Sequence, residues 1–348
     1  MAPPEVVLDR FVRARLSKDL GFSNYRGKLN LDSVSPSLRS LLCVIQETVN
    51  EALRLEGRNA SGGVEHPPFH FDYLEVSDGA KNAHAFQHEN FSFIVFTLPL
   101  VEAIWHISHR LSKSSEFSKI LHLDSAAVNS EALHGLLTQI QLFFLVSHEY
   151  THHIHQHCAE GANEATGVWT EFVNETACGS IKSQAQELAA DGYATLLVLT
   201  FLLRGERRHS ALEVLGKVGL LGTDGDELLL TCFLVAVLAS FCAFWAKDID
   251  IASVYHFRHP PPPVRIGYTI QFAKMWCDQN GSVLESWFSP ERMQQQFLAA
   301  AEPVGESTKL TWDNLISLLN SAEYVQYDQQ LFEMFEKVRK ETPNASHR

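Results

Sequence analysis

Residues 136–158, LLTQIQLFFLVSHEYTHHIHQHC, run from a strongly apolar segment into five histidines within ten positions. The apolar part predicts a buried helix from about residue 130 to about 158. Imidazoles emerging from such a helix need partners. His148-Glu149-Tyr150-Thr151-His152 is an H-E-x-x-H motif. Residues four apart on a helix share a face, so His148 and His152 aim two imidazoles at one point, as a tetrahedral zinc requires. Glu149 stands roughly 100° round the helix from His148, where it can act on an attacking water rather than on the metal. His153 and His157 stand roughly 140° and 180° away and are expected to point elsewhere. His155 shares the metal face but sits two turns along.

A catalytic zinc needs a third protein ligand and one open position. The pattern H-E-x-x-H-x-x-G-x-x-H fails, because 155 is histidine and 158 is cysteine. A second apolar helix is expected over about 183–203, with SQAQ as its N-terminal cap pattern. It contains QELAADGYA, which offers Glu187 as the third ligand and Asp191 one turn on. A carboxylate in Asp191's position can accept from a ligand imidazole and hold its tautomer.

Outward from these two helices, 36–56 has helical spacing, 59–68 is loop by its Gly and Pro content, and 69–76 and 91–98 read as strands. Strand 91–98 either offers an edge to which an extended peptide could add or is a plain core strand. Segment 219–227, GLLGTDGDE, reads as loop. Residues 228–246 carry no charge and are long enough to span a bilayer. Acidic and basic residues flank them without strong asymmetry, and a core helix of a large domain is the favoured reading.

The net charge of −13 disfavours nucleic acid as a partner. Six cysteines without a C-x-x-C pair argue against a disulfide framework and for a reducing compartment. The first twenty residues lack a signal peptide's apolar stretch, so a cytoplasmic protein is expected, with an inner-membrane or membrane-associated location as the alternative.

H-E-x-x-H-x-x-x-x-H, completed by His157 and followed by E-x-x-x-D, resembles the gluzincin peptidases of the HtpX and CAAX-prenyl-endopeptidase type. KNAHAFQHENFSFIVFTLPLVEAI (81–104) is similar to that family's strand-to-helix segment, and HPPPPVRI (259–266) to its downstream His-Pro and Arg-Ile segment. The phage-exclusion peptidase Lit is also similar in the two zinc elements. The resemblance implies an α+β fold, mostly helical, with a zincin-like metallopeptidase domain and a small β-sheet. The resemblance covers roughly 80–270, and the expected division is an N-terminal helical region at 1–60, the metallopeptidase domain at 61–275 and a C-terminal helical extension at 276–348. The resemblance implies a zinc metalloendopeptidase acting on protein or peptide substrates, with Glu149 as general base. It further implies His259 as an oxyanion stabiliser, with Arg265 orienting it or pairing with a carboxylate. Two other readings stand beside it: a zinc-binding scaffold without turnover, and an integral-membrane protease.

Overall fold

A computed structural model describes residues 2–16, 25–59, 67–77, 79–122, 129–155, 157, 168–170, 179–205, 207–217, 223–244, 254–307 and 311–341. Residues 60–66 of the expected loop at 59–68, Cys158, Cys178 and the C-terminal residues from 342 lie outside them. The fold is α+β, and its contacts divide it into two compact units. One comprises Met1–Ala103, His148–Asn174 and Lys340–Arg348; the other comprises Ile104–Ser147 and Glu175–Arg339.

The first unit is built on a five-stranded sheet, β1 (Tyr25–Lys28), β2 (Phe69–Val76), β3 (Ala83–His88), β4 (Phe91–Thr97) and β5 (Val168–Thr170), in the order β1-β2-β4-β3-β5. β2 and β4 are parallel, and the other pairs are antiparallel. β3 turns into β4 through Glu89 and Asn90, with Glu89 in the left-handed region at φ 51°. Helix α1 (Pro4–Leu16) buries Val7, Leu8 and Phe11 against Phe86, Phe93 and Val95. Helix α2 (Pro36–Asn59) is tied to β2 through Asn50, whose side chain both accepts from Phe71 N–H (2.8 Å) and donates to Phe71 C=O (3.0 Å).

The topology decides between the two readings of strand 91–98. β4 is flanked by β2 on one side and β3 on the other, so its backbone groups are already paired and it has no edge to offer a peptide. All seven of its residues are buried.

The chain passes between the units along α3 (Leu98–Leu111) and returns along α5 (Ser130–Ile154), with α4 (Ser115–Ile120) between them. The second unit continues with α6 (Ile181–Leu203), α7 (Arg207–Val214), α8 (Thr223–Phe244), α9 (Pro262–Asn280), α10 (Pro290–Ala301), α11 (Trp312–Leu319) and α12 (Ala322–Glu341). α6 starts earlier than expected. Its cap is Ser180, whose hydroxyl accepts from Ser183 N–H while Ser183 Oγ accepts from Ser180 N–H, a reciprocal capping box. α6 packs on α9 closely enough that a Cβ on Gly192 would meet the Phe272 ring at 3.0 Å.

The segment read as loop at 219–227 is helical from Thr223 onward. Asp226, in that first turn, is held by Arg204 (2.7 Å), Arg208 (3.1 Å) and Ser282 (2.6 Å). α6 and α8 are both long and apolar enough to cross a membrane. In this structure 72% and 83% of those windows are buried inside the protein. The polar side chains of α8 find protein partners: Ser240 donates to Gln141 (2.8 Å), which donates in turn to Ser108 (3.0 Å). Among the described residues Cys43, Cys232, Cys242 and Cys277 are free thiols, and burial pushes the last three up to about 12.

Candidate metal centre

The apolar face of α5 carries the helix through protein interior, and Asn129 Oδ1 caps its start by accepting from Glu131 N–H (3.0 Å) and Ala132 N–H (3.2 Å). Its last two turns carry the motif. His148, Glu149 and His152 all have no solvent exposure. The four-residue spacing brings Nε2 of His148 to 3.0 Å from Nε2 of His152. Two nitrogens each about 2.0–2.1 Å from one zinc, at a near-tetrahedral angle, stand roughly 3.3 Å apart. The observed separation is close to that value.

Glu187, on α6, supplies the third donor. Ligand atoms of His148, His152 and Glu187 lie within 4.8 Å of one another, and all three side chains are buried. Two imidazoles and a carboxylate form a donor set suited to zinc. A carboxylate with no exposure also needs a positive partner to offset its lost hydration. The chain therefore fits a metal ion here on both donor chemistry and geometry.

The remaining residues of interest fall around this group. His259 precedes α9, is 16% exposed in its side chain, and places Nε2 3.5 Å from Glu187 Oε1. Asp191, one turn beyond Glu187, receives two guanidinium N–H groups from Arg265, Nε at 2.8 Å and Nη2 at 2.7 Å. Arg265 also lies over the Phe241 ring at 4.7 Å. The structure thus joins Asp191 to Arg265, and pairing with a carboxylate is one of the two roles read for that arginine.

One of the two histidines expected to point away from the metal face does so, and the other does not. α5 ends at Ile154, so angles counted along it do not reach His157. His157 is buried, and its Nδ1 lies 3.0 Å from Nδ1 of His152. It touches His152 of the candidate group rather than pointing away. His153 does leave the metal face, and its Nε2 donates to the carbonyl of Phe93 on β4 (2.9 Å). Burial pushes the His155 imidazole down to about 4.

Sequence reasoning also missed Gln184, one turn before Glu187. Its amide donates to the carbonyls of Val254 and Phe257, both at 2.7 Å, and accepts from the Tyr327 hydroxyl. This bond set holds the segment that leads into His259. No local spacing marks it, because its partners are distant in sequence.

Comparison of the chain with protein-family models, with curated proteins and with solved structures gives no match.

Proposed function

We propose that the chain is a zinc-dependent metallopeptidase of the gluzincin kind, with a zincin-like catalytic domain, acting on protein or peptide substrates in the cytoplasm. The observation that carries this reading is the buried His148–His152–Glu187 group, with its imidazole Nε2 atoms 3.0 Å apart and Glu149 adjoining on the same helix. The chemistry a zinc ion supplies when bound is Lewis acidity toward a water and a substrate carbonyl.

The chain's own residues do the rest. His148, His152 and Glu187 would hold the ion. Glu149 accepts the proton of the attacking water and passes it to the amine nitrogen as the C–N bond breaks. His259, beside Glu187 and only partly exposed, donates toward the oxygen on which negative charge develops. The Asp191–Arg265 pair holds α6 against α9 and so fixes Glu187. The extensive burial of α8, with Ser240 and Asp226 satisfied by protein groups, supports a soluble protein over a membrane-spanning one.

The test is metal analysis and peptide cleavage with Glu149→Gln. The variant should keep one zinc per chain and lose hydrolysis by roughly 10²–10⁴-fold. Undiminished turnover would remove Glu149 from the mechanism. Zinc present with no cleavage by the wild type of any peptide in a proteome-derived library would favour a scaffold.

A further inference from the structure

The second unit contains a cleft of about 330 Å³ between α5, α6 and α7. Leu136, Ile140, Phe143, Val198 and Leu202 give it apolar walls, and Arg207 also lines it. Three features of this cleft are unexplained by the fold. First, the half-buried Arg207 guanidinium sits 5.8 Å from the Phe201 ring and, among the described residues, has no carboxylate partner. Second, Phe201 is 37% exposed beside it, near the end of a mostly buried helix. Third, α5 carries a glycine, Gly135, in the cleft wall. A Cβ at Gly135 would meet nothing within 4 Å, and its φ is not in the left-handed region. Glycine within a helix is unfavourable relative to alanine. Neither backbone conformation nor close packing demands it here, and its missing side chain keeps the cleft open.

We propose that this cleft binds a single-chain amphiphile with an anionic head, a medium-chain fatty carboxylate. The apolar walls take the tail, since burying methylene groups is the main source of affinity available there. The volume is at the low end of small-molecule sites, which suits one chain and not a two-chain lipid. The planar guanidinium fork pairs a carboxylate through two parallel hydrogen bonds. In a chain of net charge −13, a half-buried cation with no carboxylate partner among the described residues is a position where an anion is well received. The proposal is independent of the metal centre.

The experiment is calorimetric titration of the full chain with monomeric dodecanoate. Wild type should bind saturably, one per chain. Arg207→Gln should weaken binding roughly ten-fold, the effect of losing a charge-assisted pair. Gly135→Phe should abolish it while the thermal midpoint is kept, because the new ring enters open space; Gly135→Leu is the milder form of the same test. Absence of saturable binding by wild type overturns the proposal. So does wild-type affinity in both the arginine and the glycine variants. An unchanged affinity in Arg207→Gln alone overturns the anionic head. If anionic-lipid vesicles capture the chain while monomeric dodecanoate does not bind, the face meets a membrane surface and the cleft proposal fails.

Discussion

Nδ1 of His152 lies 3.0 Å from Nδ1 of His157, while Nε2 of His152 faces Nε2 of His148 at the same distance. One ring nitrogen of each contact must donate and the other accept, or a metal must stand between them. With the Nε2 lone pair of His152 directed to a metal, its proton sits on Nδ1, and His157 accepts it as a neutral imidazole. His157 then fixes both the tautomer and the ring orientation of a ligand. His157→Ala should lower zinc affinity by roughly 10–100-fold without abolishing it. Competition with a chelator of known affinity measures this. A variant that holds zinc as tightly as wild type would leave His157 with packing alone.

Asp191 and Arg265 form a buried bidentate pair, their side chains 0% and 6% exposed. Removing one partner strands the other's charge in the interior, at a cost of about 3–5 kcal/mol. Arg265→Met and Asp191→Leu should each show this in denaturant unfolding. The double variant should be less unstable than the sum of the two, because neither charge is left alone. Strict additivity would mean that the two side chains do not act as a pair.

Much of the fold is legible in the chain because apolar period follows burial. The 3.6-residue period marks α2, and apolar runs mark α5, α6, β2 and β4. β3 is harder to read, since AHAFQH is half polar, and β1 and β5 have only four and three residues. The start of α8 is hidden because Asp226 looks like a solvated loop residue; its neutralisers, Arg204, Arg208 and Ser282, are distant in sequence. The same contrast governs the site. His148, His152 and Glu187 are visible through spacing within single helices. The contact of His157 with His152 is not, because it depends on where α5 ends. Gln184 and Tyr327 are invisible for the reason that Asp226 is: their meaning lies in partners far along the chain.

Asp72 on β2 predicts an acid limb in the stability profile. Burial raises its carboxyl pKa, but hydrogen bonds from His70, Lys28 and Tyr73 N–H outweigh that and hold it below its ordinary value. A carboxyl depressed in the folded state contributes stability above its unfolded pKa and loses it as pH falls through the folded one. Urea midpoints should therefore drop as pH falls below about 4. Asp72→Asn should cost about 1–3 kcal/mol at pH 7 and flatten this part of the profile. An acid limb of unchanged steepness in the variant would assign it to other carboxyls.

Gln184 and Tyr327 give the last prediction. Both are fully buried, and they join α6 and α12 to the segment before His259. Tyr327→Phe removes one donor and leaves Gln184 Oε1 without it inside the protein, a cost of about 1–3 kcal/mol. Gln184→Leu strands the Tyr327 hydroxyl and removes a donor from two backbone carbonyls, so it should cost more than Tyr327→Phe. Denaturant unfolding supplies both values. Hydrogen exchange then separates a global loss from a local one: residues 254–259 should lose protection in Gln184→Leu more than in Tyr327→Phe, because only the glutamine touches their carbonyls. Equal losses of protection in the two variants would mean that the segment is held by packing, and Gln184 would lose its role in positioning His259 beside Glu187.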